Sequence, residues 1–448
     1  MKTVITYGVF DLFHEGHVNL LRRAKALGDK LIVGVTSNEF TRQRGKLLLA
    51  DSLDTRMSNV RNCPYVDEVI LEDHYGQKLE DVQKYGADVF VAGDDWTGKF
   101  DFLTPWCEVV YLPRTPGISS SSLRNSRLPE IRFGVIGNGR IAKRFLKEAK
   151  TVRGGVRFRY VYNPNYESAK RFAEGYEKLT AVEDLEEFFR SVDAVYIASP
   201  HETHYGYAKA ALLHGKHTLC EKPLCFSQKE AEELFSLASE NEAVLMEAVK
   251  TAYCPGFIKM ISIARSGFIG DIVDVESCFT RLTEKGVREW EGEYKGSFTE
   301  FGSYTLLPVM KLLGTKDLDV RFESVLDEDG ADLYTKAYLS VPGKMGLCKA
   351  GLGVKSDGHL LISGTKGYIF APAPWWKTTR FELHYEDPNA TETYESEFLG
   401  EGLRYELAEF VERIQGWHDS DYLYTKEETV TAAGIFERFL KYRSEQMR

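Results

Sequence analysis

From residue 3 to residue 112 the chain alternates short apolar runs with helical patterns. The runs are TVITY, KLIVGV, VDEVI, DVFVAG and CEVVYL. After the first of them, Val18, Leu20, Leu21, Ala24 and Leu27 recur at the spacing of one helix face, and a polar helix is predicted around 53–61. Strands that are apolar throughout and separated by helices predict a parallel sheet covered on both faces. The segment RTPGISSSSLRNSRLPE, residues 114–130, breaks the pattern with Pro, Gly and a run of Ser, and alternation restarts at IRFGVIG. A domain boundary is therefore expected near 125–131.

Residues 131 to about 250 repeat this texture. Helices are predicted at 140–150, 167–176, 204–214 and 227–240, between the strands RFGVIG, VRFRYVY, AVYIAS, KHTLCE and AVLME. Beyond 250 come long amphipathic strands, IVDVESCFTRL, DLYTKAYLSV and HLLISGTKGYIFA, with helices near 403–415 and 425–443. The expected class is α/β. Two parallel-sheet domains, 1–128 and 129–250, precede an α+β domain at 251–448 with a mostly antiparallel sheet.

The 448 residues exceed the size, roughly 250–300 residues, at which one hydrophobic core stops growing. A net charge of -10 and the lack of a long Lys/Arg run argue against nucleic acid or an anionic membrane as partner, so any phosphate must be held locally. MKTVITYGVF lacks the features of a signal peptide and no stretch approaches a membrane span, so the expected location is the cytoplasm. Seven scattered cysteines without a CxxC pair read as reduced residues rather than a zinc site or a disulfide framework.

Candidate chemistry begins in YGVFDLFHEGHVNLL, residues 7–21. In doubly wound sheets, ligands sit where a strand's carboxyl end leads into a helix N-terminus, and His14, Gly16 and His17 fall there. Glycine permits close approach of a phosphate, and two imidazoles offer donors to phosphoryl oxygens as charge grows during in-line displacement. The alternative is that one histidine caps the helix and the other fills the core.

The segment resembles the HxGH cytidylyltransferases, of the glycerol-3-phosphate cytidylyltransferase type, over nearly all of 1–124. The matching stretches are YGVFDLFHEGH, RGK at 44–46, DTRMSNV, YVDEVI, GDDWTGKFDFL and VVYLPRTPGIS. The resemblance implies a Rossmann-like nucleotidyltransferase in which His14 and His17 stabilise the transition state while Lys46 and Arg114 hold triphosphate oxygens. It places Gly8, Phe10, Asp11, Gly16, Arg56, Asp94, Ser119 and Ser120 around CTP, with Mg²⁺ accompanying the nucleotide and Asp11 and Asp94 helping to order nucleotide or Mg²⁺. Members often carry Arg before YVDEVI; Pro64 stands there, which points away from glycerol phosphate as the acceptor.

GVIGNGRIA sets Gly137, Gly139 and Ala142 at dinucleotide-loop spacing, after a strand and opening a helix with Arg140 and Ile141. The second strand ends at Asn163, where an NAD site would place an acid; Lys170 and Arg171 follow. NADPH is the expected cofactor, with NADH possible.

ASPHETHYGYAKAALLHGKHTLCEKPL, 198–224, resembles the oxidoreductase family named for glucose-fructose oxidoreductase, inositol dehydrogenase and rhizopine catabolism, from 131 to the last residue. The resemblance implies an NAD(P)-binding Rossmann domain with Pro200, His204 and Glu221 near the cofactor. It makes Lys222 of the EKP signature the residue that polarises a carbonyl or relays its proton. In KGSFTEFGSYTLL, Glu300 and Tyr304 take positions that members fill with Asp and with His or Tyr, so both are substrate residues and Tyr304 the proton donor. The other reading of this stretch is a helix with a buried tyrosine. For His201 and His204, a capping or core role is also open.

Together the halves suggest an enzyme that reduces a sugar phosphate, with a pentulose 5-phosphate as first choice, to an alditol phosphate and joins it to CTP. The product would be a CDP-alditol for capsule or teichoic-acid-like polymers. Alternatives are cytidylylation before reduction, or a transferase with a non-catalytic dinucleotide sensor. A homodimer is expected.

Overall fold

The computed structural model describes residues 2–43, 49, 51–74, 76–113, 130–152, 155–415 and 423–447. It forms two compact units, one from the chain up to Glu130 and one from nearly all that follows.

In the first unit, β1 (Thr3–Gly8), β2 (Lys30–Thr36), β3 (Glu68–Glu72), β4 (Val89–Gly93) and β5 (Glu108–Leu112) form a parallel sheet in the order β3-β2-β1-β4-β5. The helices are α1 (Glu15–Lys25), α2 (Asn38–Gln43), α3 (Leu53–Arg61) and α4 (Gln77–Tyr85). Successive side chains of a strand face opposite ways, so the apolar runs feed two cores. Val4, Leu31 and Val33 pack with Leu21, Ala24 and Val60 on one face. Ile5, Ile32 and Phe90 pack with Val82 and Leu103 on the other. Strand order reverses between β1 and β4, which sets the crevice at the carboxyl end of β1.

The second unit begins with β6 (Ile131–Ile136), α5 (Arg140–Ala149), β7 (Val156–Tyr162), α6 (Tyr166–Ala173), β8 (Thr180–Val182), α7 (Leu185–Ser191) and β9 (Ala194–Ile197). It continues with α8 (His204–Leu213), β10 (His217–Glu221), α9 (Gln228–Glu240) and β11 (Leu245–Ala248). These six strands are parallel in the order β11-β10-β9-β6-β7-β8, the dinucleotide-binding arrangement, with its reversal between β6 and β9.

After α10 (Pro255–Arg265) come β12 (Ile272–Thr280), α11 (Ser297–Leu313), β13 (Asp319–Leu326), β14 (Asp332–Val341), β15 (Lys344–Gly351), β16 (Leu360–Gly364) and β17 (Gly367–Ala371). The last elements are β18 (Arg380–Tyr385), β19 (Glu392–Glu395), α12 (Leu403–Ile414) and α13 (Lys426–Gln446). The eight-stranded sheet runs β13-β14-β15-β12-β16-β17-β18-β19 and is antiparallel except for β12 with β15. Helix α11 lies on it: Ser277 Oγ donates to Thr305 O at 2.6 Å, and a Cβ at Gly346 would stand 2.5 Å from Val309.

Two differences from the sequence pattern stand out. The run HLLISGTKGYIFA is a hairpin, β16 and β17, rather than one strand. Helices α10 and α11 add to the two helices the pattern predicts in this region; fifteen of the seventeen residues of α11 are buried, which leaves no polar stripe to mark a period. All seven cysteines are buried and unpaired.

Candidate active sites

In the first unit the loop from β1 to α1 is held in an unusual backbone form. Phe10 and Leu12 have φ of 53° and 49°, a left-handed conformation that costs about 1–3 kcal/mol per non-glycine residue and persists only where surroundings impose it. Here both side chains are buried. Between them Asp11, also buried, accepts the Asp51 N–H at 3.0 Å, while Leu12 N–H donates to Asp51 Oδ2 at 2.9 Å. Arg56, wholly buried on α3, donates Nη1 to Val9 O and Thr36 O, both at 2.7 Å. Asp11 and Arg56, expected at the nucleotide, thus brace the loop that carries the histidines. Asp51 carries no sequence signal, since nothing but the fold brings it to Asp11.

The strained loop delivers His14 to the N-cap of α1. Gly16 N–H donates to His14 Nδ1 at 3.1 Å, and His14 N–H donates to His17 Nδ1 at 3.4 Å, a reciprocal capping box made of two imidazoles. The rings stack with centroids 3.9 Å apart. Gly16 is required by this packing, since a Cβ there would lie 2.9 Å from His14 Cε1. Each Nδ1 acts as an acceptor, so the neutral ring carries its proton on Nε2 and presents a donor there. Burial lowers the His14 pKa and keeps that ring neutral. Capping and phosphate donation, weighed as alternatives above, are compatible uses of opposite ring nitrogens.

Gly8 ends β1 against the Phe10 ring, where a Cβ would meet it at 3.0 Å. Asp94 opens the turn after β4, exposed, on the strand next to β1 at the reversal. Lys46, Arg114, Ser119 and Ser120 lie outside the described residues. Among the described residues no group of three or more His, Cys, Asp or Glu side chains could hold a metal ion.

In the second unit Gly137 has φ of 97°, and a Cβ there would stand 2.6 Å from Ala198 O. The loops after β6 and β9 therefore touch. Gly139 caps α5, and a Cβ there would meet nothing within 4 Å. Open space before ten residues of helix suits a pyrophosphate at the dipole's positive end. Ile141 is half-buried, and Arg140 reaches outward to Glu289, Nη2 to Oε1 at 3.2 Å. At the tip of β7, Asn163 Nδ2 donates to Asn138 Oδ1 at 3.0 Å and Asn163 Oδ1 accepts the Asn165 N–H at 2.9 Å. The position is a neutral amide relay. Pro200 is exposed at the turn after β9.

Lys222 directly follows β10. Its Nζ donates to Glu300 O at 2.8 Å, stands 3.4 Å from Glu300 Oε1, and lies 5.6 Å from the Tyr304 ring centroid. His201 Nε2 is 3.9 Å from Glu300 Oε2, so Glu300 links it to Lys222. Burial, then Lys222, drives the His201 pKa far down, leaving that ring neutral. No hydrogen bond within the described residues engages the Tyr304 hydroxyl, and burial followed by the Glu221, Glu406 and Glu300 charges raises its pKa strongly. It is a protonated, uncommitted donor beside an ammonium. Glu221 is buried and accepts the Tyr196 hydroxyl at 2.7 Å; burial raises its pKa against the opposing effects of Tyr196 and Lys222.

The loop that carries Lys222 is anchored at its next two residues as well. His204 is wholly buried, with Nδ1 2.7 Å from Pro223 O and Nε2 2.9 Å from Ser199 O. Burial lowers its pKa to about 4 against the pull of those carbonyls. It ties the loop after β9 to the loop after β10, a bracing role beneath the cofactor position the sequence suggested. Leu224 N–H donates to Glu247 Oε1 at 3.2 Å, and burial pushes that carboxyl up to about 7. Glu406 of α12 is wholly buried, with no hydrogen bond to either carboxyl oxygen among the described residues. Burial and the Glu221 charge keep it protonated. Neither acid carried a sequence signal, since each meets its neighbours through the fold.

A parallel sheet with two histidines aimed from a helix entrance, and a dinucleotide loop with a Lys–Tyr pair, define a nucleotidyltransferase joined to a nicotinamide-dependent oxidoreductase. The chain belongs to two families: residues 5–126 match the cytidylyltransferase-like family, and residues 131–249 match the oxidoreductase family with an NAD-binding Rossmann fold. It is similar to glycerol-3-phosphate cytidylyltransferase of Bacillus spizizenii, 53% identical over 124 residues that cover 28% of this chain and 95% of that protein. Elsewhere it is similar to scyllo-inositol 2-dehydrogenase (NADP(+)) IolU of Bacillus subtilis, 31% identical over 321 residues, 69% of this chain and 96% of that one. The fold of the second unit is shared with KijD10, a 3-ketoreductase from Actinomadura kijaniata solved in complex with NADP and TDP-benzene. That match has a TM-score of 0.60 and 22% identity over 69% of this chain and 96% of that chain. The protein is an enzyme with a cytidylyltransferase domain and an NAD(P)-binding oxidoreductase domain. Among the described residues no helix is long and apolar enough to cross a membrane.

Proposed function

We propose that this enzyme reduces a sugar phosphate, a pentulose 5-phosphate in the first instance, to an alditol phosphate with NADPH. It then transfers CMP from CTP to that product. The CDP-alditol serves capsule or teichoic-acid-like polymer synthesis in the cytoplasm. The observation that carries the reading is the coexistence in one chain of two arrangements: the paired His14 and His17, and Tyr304 beside Lys222. A reduced sugar phosphate carries the phosphate monoester that a cytidylyltransferase needs as nucleophile.

In the transferase, a phosphate oxygen of the alditol phosphate attacks the α-phosphorus of CTP. The bond to the oxygen bridging the α- and β-phosphates breaks, and pyrophosphate leaves. The Nε2–H groups of His14 and His17 meet the charge that grows on the phosphoryl oxygens, a contribution of about 2.7–4 kcal/mol per well-placed donor. Lys46, Arg114, Ser119 and Ser120 hold the triphosphate, and Mg²⁺ would accompany it and add countercharge.

In the reductase, the loop at Gly137 and Gly139 receives the dinucleotide pyrophosphate and Asn163 the adenosine ribose. The amide relay through Asn138 sets no carboxylate there to repel a 2′-phosphate, which favours NADPH over NADH. When bound, the nicotinamide supplies the hydride. Tyr304 gives its proton to the substrate oxygen, and the Lys222 ammonium, oriented by Glu300, stabilises the phenolate left behind. Residues of the C-terminal sheet turned away from α11, among them Val325, Met345 and Tyr368, leave apolar surface exposed and supply a homodimer face.

The test is NADPH oxidation over a panel of sugar phosphates, with and without CTP, with pyrophosphate followed in parallel. Oxidation with one sugar phosphate alone, then CTP-dependent pyrophosphate release, supports the proposed order. Oxidation only after CTP has reacted reverses it, and none with any phosphorylated sugar refutes the reductase substrate.

A further inference from the structure

Helix α11 carries Glu300 in its first turn and Tyr304 one turn further on, yet its N-cap has no side chain: Gly296 stands there, with φ of 113°. The first N–H groups of a helix need acceptors from outside it. One is supplied here across the fold. Asp332, the first residue of β14, is wholly buried, and its Oδ2 accepts the Phe298 N–H at 2.9 Å from 34 residues away in the chain. The glycine makes room for this cap, since a Cβ at Gly296 would collide with Asp332 Oδ1.

The capping carboxylate is itself oriented. Thr335 Oγ1–H donates to the same oxygen at 2.6 Å, and Thr335 Oγ1 lies 2.8 Å from Ser324 Oγ on β13. Ser297, the first residue of α11, donates Oγ–H to Asp332 O at 2.6 Å and accepts the Leu352 N–H at 2.8 Å. The first turn is thus fastened to the start of β14 and to the residue that follows β15. Burial pushes the Asp332 carboxyl up to about 6, against the opposing effects of Thr335, the Phe298 N–H and Arg443. At neutral pH an anion therefore faces the positive end of a helix of 17 residues.

The reductase site depends on that turn. Lys222 Nζ donates to Glu300 O at 2.8 Å and stands 3.4 Å from Glu300 Oε1, so both contacts are to a residue whose place the first turn sets. A helix end that loses its acceptors frays within that turn.

We propose that Asp332 is a positioning residue of the reductase: by capping α11 from β14 it fixes Glu300, and through Glu300 it holds the Lys222 ammonium beside Tyr304. This rests on the reading of Lys222 and Tyr304 as the groups that handle the proton, and is independent of which sugar is reduced.

The full-length enzyme is compared with its Asp332→Ala, Asp332→Asn and Thr335→Val variants. Asparagine keeps an acceptor for the Phe298 N–H, and valine removes only the hydroxyl that orients the carboxylate. One readout needs no substrate: the rate at which acetic anhydride acylates Lys222, followed by peptide mass spectrometry. The other is NADPH oxidation with the carbonyl substrate that the wild type accepts. With alanine, Lys222 should acylate about tenfold faster and kcat should fall about tenfold, while KM moves less than about threefold. Valine should shift both readouts the same way and by less, and it carries the test should alanine fail to fold. Asparagine should stay within about threefold of the wild type on both. Thr425→Ala removes the cap of α13 and should lower the melting temperature while leaving both readouts at wild-type values.

Unchanged acylation of Lys222 in the alanine and valine variants would overturn the proposal, as would a loss with asparagine equal to that with alanine. Faster acylation with unaltered kcat would overturn it through the reading it rests on: the cap would stand and Lys222 would lose its part in the reaction. Should the wild type reduce none of the sugars tried, the acylation rates decide whether Asp332 holds Lys222.

Discussion

Lys222 Nζ donates to the main-chain oxygen of Glu300 at 2.8 Å, so a charged group at the end of β10 takes its position from the first turn of α11. The same helix carries Tyr304 one turn further on. Tyr304 and the Lys222 Nζ thereby both take their positions from one rigid element, the kind of support that a fixed site geometry needs.

Tyr304→Phe removes the hydroxyl and keeps the ring that Lys222 faces. Its kcat for reduction should fall by about 10²–10⁴, the range of a positioned general acid. NADPH affinity and CTP-dependent pyrophosphate release should stay at wild-type values. Stopped-flow reduction beside a pyrophosphate assay checks both, and undiminished reduction would exclude Tyr304 as donor.

His14→Ala and His14→Asn separate the two uses of one ring. Alanine loses the cap, about 1 kcal/mol of stability, and the donor. Asparagine restores a cap acceptor for the Gly16 N–H but has no donor at the Nε2 position. Pyrophosphate release should fall by about 10²–10³ in both variants, while the melting temperature drops only with alanine. Transferase activity retained by His14→Asn would leave His14 with capping alone.

Glu247 carries a carboxyl pushed up to about 7 by burial, chiefly, from an ordinary value of 4.5. Between those values the unfolded chain is ionised while the folded chain keeps its proton, so the folded state binds more protons and stability falls as pH rises through this window. The loss is up to about 3 kcal/mol and is complete above about pH 7. Glu247→Gln keeps an acceptor for the Leu224 N–H and removes the slope. Calorimetric melting of the second unit between pH 5 and about pH 8 should show the wild type declining relative to the variant; parallel curves would refute the assignment.

Asn163→Asp places a charge at the tip of β7. The dissociation constant for NADPH should rise about tenfold relative to that for NADH, through repulsion of the 2′-phosphate. Fluorescence titration with both cofactors is decisive, and an unchanged ratio would move cofactor choice elsewhere.

The two parallel sheets were legible because their central strands are short apolar runs separated by helical stretches, although the short β8 and the helices α4 and α7 went unread. Helix α11 was not, because nearly all of its residues are buried and periodicity vanishes. The histidine pair and the Lys–Tyr pair were legible as motifs. Their supports were not: Asp11 meets Asp51, His204 meets Pro223 and Leu224 meets Glu247 only after distant segments fold together. Short-range spacing marks the candidate groups, whereas the groups that hold them in place are chosen by tertiary proximity. For His14 the fold shows the capping use, with the Gly16 N–H on Nδ1.

Helix α13 has a consequence for synthesis. Its Ala433 lies in the same core as β9, α8 and α9, and Phe436 packs on Phe226 and Phe298. The dinucleotide-binding core therefore lacks part of its wall until α13 has been translated. The sheet of the first unit is complete once β5 has emerged. A ribosome carrying this message thus exposes a transferase able to fold early and a reductase that must wait some three hundred residues longer, from roughly the end of β5 to α13. Truncation just before α13 would strip one activity and spare the other.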